Sequence, residues 1–252
     1  MKLTDAIDFP SGQFRFVRGV APYSAIVTPF VGYEIERARF AQPIALAEGF
    51  TRIEAQLQRA GRPLTALCGC ELRSPAQWTE QGFREFNVGY LAVLSRWGLV
   101  RDGINPVART NVCPELDKPA APSFFAFSYT VPARADARPS FLSAGSWEMP
   151  DGPPNFREFI VRRGDTSADG LREKARFVLT DLEQRMAALG FGWADTTATQ
   201  VYTVHDLHPF LAQEIVGRGA ARAGLTWHYA RPPVLEFDYE MDTRCVTREL
   251  VI

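Results

Sequence analysis

Four acidic side chains stand at every second position near the end of this chain. They are Glu236, Asp238, Glu240 and Asp242. Successive side chains of a β-strand point to opposite faces, so this spacing predicts a strand from Leu235 to Asp242 with all four acids on one face. Four carboxylates are more than solvation of a strand requires. The acidic face is therefore exposed to water, paired with basic side chains, or part of a functional site.

Two arginines, Arg109 and Arg231, occupy matching positions in segments that recur in the two halves of the sequence. The segment "PVARTNV" aligns with "HYARPPV", and "LQRAGRPLTALCGCELRSPAQW" aligns with "MAALGFGWADTTATQVYTVHDLHPF". Between the halves, residues 132–139 read "PARADARP", a proline-containing segment without apolar periodicity that is typical of a linker. The repeat predicts two domains, residues 1–134 and 135–252, each with the element order β-α-β-α-β.

The elements that must position these residues are strands alternating with amphipathic helices. Capping-box patterns predict helix starts at Ser74–Gln77 and at Thr166–Asp169. A further helix is predicted from Asp206 to about Ala223. Arg109 falls in a predicted loop between a helix and a strand. Alternating strands and helices predict an α/β fold in which helices cover one face of each mixed sheet.

Composition excludes several classes of protein. The 252-residue chain carries 28 basic and 29 acidic side chains, a net charge of −1, which is not typical of a partner for nucleic acids or anionic membranes. Cys68 and Cys70 lie on one face of an apolar strand and are predicted to be buried thiols, since no second pair has zinc-ligand spacing. Neither a signal peptide nor an apolar run of transmembrane length is evident, so we expect a soluble cytoplasmic protein.

Several of these segments carry a resemblance to a known family. "GVAPYSAIV" resembles the "GPYSQAV" opening of the RidA/YjgF family, also called endoribonuclease L-PSP, and "PVARTNV" resembles its "PARTTV" signature. "SFLSAGSWEMPDG" is similar to the "VFVSGQ" strand of that family, and "VYTVHDLHPF" to its "VYLTDLADF" step from strand to helix. The order of the motifs is more specific than any one of them. The chain therefore resembles a tandem duplication of the RidA-like, chorismate-mutase-like fold.

The resemblance implies a function as well as a fold. RidA-like domains assemble as trimers with clefts between domains, and many members hydrolyse imines or enamines of 2-keto acids without a metal or cofactor. The signature arginine, which binds the substrate carboxylate in the family, corresponds to Arg109 and, less closely, to Arg231. A guanidinium can hold a carboxylate through two hydrogen bonds. The acid that orients the attacking water corresponds to Asp238 or Glu240, and the resemblance leaves that choice open. Tyr23 is expected either to line the cleft or to belong to a structural turn.

This sequence also departs from the family pattern. Asn111 stands where enamine-hydrolysing members often have cysteine, and the last strand of the first half has no acid at the expected place. Two functions therefore remain open. One is a deaminase acting on small imine, enamine or 2-keto-acid-derived carboxylates, with a site in one half or shared between halves. The other is a catalytically silent protein that binds small carboxylates or serves assembly. In both cases we expect a homotrimer.

Overall fold

The structure is a computed structural model that describes residues 6–153 and 155–252. Its strands are β1 (Ile7–Phe9), β2 (Phe14–Val17), β3 (Ile26–Pro29), β4 (Tyr33–Ala45), β5 (Leu67–Arg73), β6 (Ala108–Pro114), β7 (Ser123–Pro132), β8 (Phe141–Ser143), β9 (Ser146–Trp147), β10 (Ala198–Tyr202), β11 (Leu225–His228), β12 (Ala230–Arg231), β13 (Glu240–Cys245) and β14 (Arg248–Val251). The α-helices are α1 (Leu46–Arg59), α2 (Glu80–Arg96), α3 (Ala168–Ala187) and α4 (His208–Phe210), the last continuing as a π-helix over Leu211–Val216. The predicted α/β class is confirmed.

The strands form two sheets that exchange elements between the halves of the sequence. One sheet has the order β12-β6-β5-β7-β4-β14, and the other has the order β1-β2-β3-β8-β13-β10-β11, with β9 also paired to β13. Strands β1 to β3 thus join the sheet built mainly from the second half, while β12 and β14 extend the sheet of the first half. The predicted boundary at residues 134 and 135 lies between β7 and β8. The division into domains 1–134 and 135–252 stays a prediction.

Helices cover the outer face of each sheet, and the inner faces of the two sheets meet. Side chains from α1 and α2 join one hydrophobic core with β5 and β7, and side chains from α3 join another with β10 and β13. The sheets approach closely near Gly69, where an added Cβ would overlap the Leu142 side chain of the opposite sheet. The result is four layers in the order helix, sheet, sheet, helix.

The space between the sheets is apolar at one end and polar at the other. At the polar end, Arg37 holds Glu71 through two hydrogen bonds of 2.6 and 2.8 Å, and Glu249 lies 3.0 Å from Arg37 and 2.8 Å from Arg244. Asp242 enters the same layer from β13 and accepts a hydrogen bond of 2.6 Å from Thr110. Of the four acids predicted on one strand face, Asp238, Glu240 and Asp242 are therefore buried, while Glu236 stays partly exposed and pairs with Arg157 and Arg163.

Three local predictions differ from the structure. The pattern Ser74–Gln77 does not start a helix: α2 begins at Glu80, and Thr79 caps it by accepting a hydrogen bond from Gly82 N. The strand predicted from Leu235 is β13, which begins at Glu240, so Asp238 precedes it, and β14 follows it as the last strand. The helical segment after Asp206 ends before Ala223, with the π-helix closing at Val216. Near α3 the prediction is close, since Ser167 caps that helix.

The described cysteines are unpaired and buried, as predicted for Cys68 and Cys70. None of the helices in the described part of the chain combines the length and apolar character needed to cross a bilayer.

Candidate active site

Arg109 lies on β6 and is buried beneath α2. The residue is only 3% exposed, and its Nη1 donates a 2.7 Å hydrogen bond to Asn87 Oδ1. Its guanidinium carbon lies 4.8 Å from the ring centroid of Tyr90 and 5.6 Å from that of Phe83. The predicted loop position was wrong, because the "PVARTNV" segment pairs in parallel with β5 as a strand.

The environment of Arg109 contains aromatic rings and an amide instead of a bonded carboxylate. Among the described residues, Arg109 has no ion-pair partner within 4 Å. Burial lowers the pKa of its guanidinium, and the neighbouring Tyr90 and Tyr23 hydroxyls counteract the effect. Since arginine keeps its proton in proteins, the site holds a buried positive charge suited to an anionic ligand.

Glu240 is the first residue of β13 and is 4% exposed. Burial raises the pKa of its carboxyl well above the usual value, and the Asp242 and Glu148 carboxylates raise it further, while Arg109 and Arg73 oppose them. The carboxyl therefore holds its proton to a higher pH than an ordinary glutamic acid does. A carboxyl in that state can donate a proton and then, once ionised, accept one.

Two adjoining cavities connect this pair of residues to the surface. The inner cavity, of about 10 Å³, has both Arg109 and Glu240 in its wall, with Asn111. The outer cavity, of about 320 Å³, shares Tyr23, Phe83 and Trp147 with it and is lined mostly by apolar side chains. The inner space accommodates a group about the size of one water molecule. The outer space has the size of a pocket for a small organic molecule.

Three buried polar atoms at the inner cavity have no hydrogen-bond partner within the described residues. They are Glu240 Oε2, Asn111 Nδ2 and Trp147 Nε1. Unpartnered buried polar atoms are rare, because each one costs about 1–3 kcal/mol of stability. All three residues line one cavity beside Arg109, which makes this cavity the candidate place for a ligand that supplies the missing partners.

The structure brings four of the six predicted site residues together at this cavity. Arg109, Asn111, Tyr23 and Glu240 all line it. Tyr23 also donates a 3.0 Å hydrogen bond to Asp151 Oδ1, which fixes its ring as part of the wall. Asn111 is held in place by the Ser74 hydroxyl, 2.9 Å from its Oδ1. Their roles in binding or catalysis stay predictions.

Arg231 and Asp238, the other two predicted site residues, do not line either cavity. Arg231 lies on β12 and pairs with Glu115 at 2.6 Å, with its side chain 34% exposed. Asp238 accepts a 2.6 Å hydrogen bond from Lys174 Nζ and lies 3.3 Å from His205 Nε2. Because Asp238 is engaged in this cluster, the geometry favours Glu240 as the acid at the cavity.

Lys174 is expected to be essential for stability rather than for the site. Its side chain is fully buried and its Nζ bridges Asp238 and Glu148, which lies 3.3 Å away. Lys174→Met leaves these two acids without their cation, so we expect the free energy of unfolding to fall by roughly 3–5 kcal/mol. Urea denaturation measures the change. Lys118→Met is the control, because its pair with Glu115 is exposed and should change stability by less than about 1 kcal/mol. Equal effects of the two substitutions would contradict the buried-bridge assignment.

Sequence reasoning missed Gly145 and Trp147, which come from the β8–β9 segment. The backbone N–H of Gly145 donates a 3.2 Å hydrogen bond to Arg109 O, which joins the two sheets at the cavity. A Cβ at Gly145 would overlap Glu240 Oε1. The signal available in the sequence was the glycine within "SAGSW", which the family resemblance had placed at the end of a strand without giving it a role.

Gly145→Ala is expected to displace the Glu240 carboxyl from the inner cavity. The neighbours cannot all yield, because Thr110 Cγ2 lies 3.4 Å from the added carbon on another side. In the reaction proposed below, Glu240 is the proton donor, so we expect kcat to fall by at least about 10-fold with the protein still folded. Steady-state kinetics measure kcat, and thermal unfolding shows whether the variant is folded. Gly89→Ala is the control, since a Cβ there meets nothing within 4 Å. Unchanged kcat in Gly145→Ala would show that the position of Glu240 is unimportant.

Within residues 6–153 and 155–252, no three His, Cys, Asp or Glu side chains are grouped so that they could hold a metal ion. Independence from metals and cofactors stays a prediction from the family resemblance.

The geometry defines a pair of adjoining cavities, one lined by polar side chains, in an α/β fold with two facing sheets. A solved chorismatase structure has a similar fold: it aligns over 97% of this chain and 80% of its own with a TM-score of 0.54, at 12% sequence identity. The structure of the YjgF gene product of E. coli aligns over 46% of this chain and 93% of its own, with 16% identity and a TM-score of 0.30.

Sequence comparison identifies the family. The model of the family described as 2-aminomuconate deaminase CnbZ matches residues 6–250. A 2-amino-5-chloromuconate deaminase from Comamonas testosteroni is 48% identical over 251 residues, which cover 99% of this chain and 100% of that protein. The chain therefore belongs to the 2-aminomuconate deaminase CnbZ family, and its recognition as a member of a deaminase family is confirmed.

Proposed function

We propose that the protein is a hydrolytic deaminase of 2-aminomuconate-type substrates, which are small conjugated enamines bearing carboxylates. The observation that carries the proposal is the inner cavity, whose wall combines Arg109 with Glu240, Asn111 and Trp147, each of which has a buried polar atom without a hydrogen-bond partner. The family match and the name of the 48% identical relative support the choice of substrate.

Arg109 and the two unpartnered donors are suited to the anionic end of such a substrate. A carboxylate at the mouth of the inner cavity can accept hydrogen bonds from the Arg109 guanidinium, Asn111 Nδ2 and Trp147 Nε1. Charge-assisted hydrogen bonds of this kind are about twice as strong as neutral ones. The dry aromatic surroundings strengthen them further, because little water competes for the donors.

Glu240 supplies the proton transfers in this proposal. Its carboxyl protonates a carbon atom of the conjugated chain of the enamine, which converts the C–N bond into a C=N bond. The carbon atom of this C=N bond is then electrophilic. The resulting carboxylate then takes a proton from a water molecule as its oxygen attacks the carbon. The C–N bond breaks as the nitrogen takes the proton back from Glu240 and leaves as ammonia, while the new hydroxyl group returns its proton to Glu240 and becomes the carbonyl oxygen. The balance is one enamine and one water giving one 2-oxo acid and one ammonia.

The outer cavity receives the rest of the substrate. Its apolar walls, formed by side chains such as Val20, Leu91 and Met149, fit a planar diene chain. A carboxyl that must donate its proton to carbon benefits from a space that excludes water, since water would compete for that proton.

The assembly and location of the protein remain open to experiment. The homotrimer and the cytoplasmic location expected from the sequence stay predictions, and light scattering at micromolar concentration tests the first.

The test is to incubate the purified chain with 2-aminomuconate and to follow ammonia release together with loss of the absorbance of the conjugated enamine. The 5-chloro derivative and the smaller enamine 2-aminoacrylate serve as comparison substrates. We expect ammonia and a 2-oxo acid in equal amounts from the two muconates. Saturable binding of the muconates without ammonia release would instead support the silent carboxylate-binding alternative.

A further inference from the structure

Asp242 lies two residues after Glu240 on β13, and both side chains point toward the opposite sheet. Glu240 reaches the inner cavity, whereas Asp242 lies deeper in the polar layer between the sheets. In the antiparallel pairing with β10, Glu240 is opposite Tyr202 and Asp242 is opposite Gln200. The two carboxyl groups are therefore neighbours on one strand face, one at the cavity and one behind it.

Three donors bind the Asp242 carboxylate and oppose the effect of its burial. Its Oδ2 accepts hydrogen bonds of 2.6 Å from Thr110 Oγ1 and 2.9 Å from the Tyr202 hydroxyl, and its Oδ1 accepts one of 2.9 Å from Gln200 Nε2. Burial and then the Glu71 carboxylate raise the pKa of Asp242 above its usual value, while the hydrogen bonds from Thr110 and Gln200 limit the rise. A carboxylate whose two oxygens already accept three hydrogen bonds has little room for a proton of its own.

Two of the arginines between the sheets are paired with other acids, whereas Arg73 and Arg109 have no ion-pair partner within 4 Å among the described residues. Arg37 and Arg244 are paired with Glu71 and Glu249 in the layer between the sheets. The ionisable groups that face the two carboxyls from the surrounding strands and loops are Glu71 and Arg73 on β5, Arg109 and Cys113 on β6, Tyr202 on β10, Arg244 on β13, and Glu148 after β9. With one more negative charge on Glu240, two carboxylates would lie side by side in a buried layer, which is unfavourable.

We propose that Asp242 is a positioning residue that keeps the Glu240 carboxyl protonated between turnovers; this inference rests on the function proposed above. Asp242 does not line the cavity, so it acts only through its neighbour. After Glu240 gives its proton to the substrate, repulsion between the two carboxylates favours the transfer of a proton from the attacking water to Glu240. The same residue thus supports both halves of the reaction.

The experiment is the pH dependence of kcat/KM for Asp242→Asn, which removes the charge and keeps the shape. Because Glu240 must be protonated to act, activity falls as the pH rises through its pKa. Removal of the Asp242 charge lowers that pKa, so we expect this basic limb to move by about one pH unit toward lower pH. At pH values below this basic limb, KM should be unchanged. Glu249→Gln is the matched control, since it removes a charge from the same layer at the more exposed pair with Arg37 and Arg244.

A second readout does not depend on turnover. The infrared band of the protonated Glu240 carboxyl, identified by its absence in Glu240→Gln, should disappear at a lower pH in Asp242→Asn than in the wild type. This result would support the inference even if no muconate is deaminated, which separates its failure from that of the proposed function. Equal loss of activity at all pH values, with the limb and the band unmoved, would overturn it. If Asp242→Asn does not fold, Thr110→Val removes one donor to Asp242 and should shift the limb in the same direction by less.

Discussion

Replacement of Arg109 by methionine is expected to weaken binding of carboxylate ligands by roughly 2–5 kcal/mol, the range for removing one partner of a buried charge pair. For the enzyme, this range corresponds to an increase of about 30-fold or more in the Michaelis constant. Methionine retains apolar contact with the Tyr90 and Phe83 rings but has no N–H groups to donate. Titration calorimetry with 2-oxo acids and steady-state kinetics with 2-aminomuconate measure the effect.

Arg109→Met is also expected to change stability, because the guanidinium is buried and donates to Asn87. An arginine in a loop, the position predicted from the sequence, would leave the stability nearly unchanged when replaced. Loss of the hydrogen bond leaves the Asn87 amide oxygen without that donor, while removal of a buried charge acts in the opposite direction. We expect a folded protein whose melting temperature differs from that of the wild type by a few degrees.

The control for Arg109 is Arg231→Met. Arg231 pairs with Glu115 at a partly exposed position and lies outside both cavities, so its removal should leave KM unchanged. The opposite pattern, with binding lost in Arg231→Met and kept in Arg109→Met, would place the ligand in the second half of the chain. Arg109→Lys adds a finer comparison. Lysine keeps the charge without the planar fork of donors, so an intermediate KM is expected.

The second large effect is expected for Glu240→Gln, which should lower kcat by about 10²–10⁴-fold, the contribution of a positioned general acid or base. The amide has nearly the shape of the protonated carboxyl but cannot transfer its proton to carbon. KM should change little, because the binding donors are unaffected. Folding raises the pKa of Glu240 and so costs stability near neutral pH, whereas glutamine has no such cost, so the free energy of unfolding should be equal to or greater than that of the wild type.

The measurements for Glu240→Gln are kcat from ammonia release and stability from urea denaturation. Glu236→Gln is the control: this acid precedes β13 and pairs with the exposed side chains of Arg157 and Arg163. It should keep wild-type kcat. A Glu240→Gln variant that retains turnover would falsify the assignment of Glu240 and leave Asp151, a partly buried carboxyl in the wall of the outer cavity, as the next candidate.

Local sequence patterns predicted the class of fold and most of its helices. The apolar stripe of α3 and the capping residue near its start determine that helix largely by themselves, because both act within a few residues. The capping-box pattern at Ser74–Gln77 does not start a helix, although its residue types fit one. Its polar side chains are used by distant partners: Ser74 bonds to Asn111, and Gln77 donates to the carbonyl groups of Pro232 and Val234.

The sequence by itself determined the candidate residues of the site but not their grouping. The motif around Arg109 and the alternating acids of the last strand were evident from residue type and spacing. Only the tertiary structure separated Glu240 from Asp238, because the choice depends on Lys174 in α3 capturing one of the two acids.

Tertiary structure also decided where the site lies. Arg109 belongs to one sheet and Glu240 to the other, and they meet because Gly145 allows the β8–β9 segment to bond to β6. No local pattern encodes such a contact between residues more than a hundred positions apart. The physical reason is that strand alternation fixes the face on which a side chain lies, while the packing of two sheets fixes what it faces.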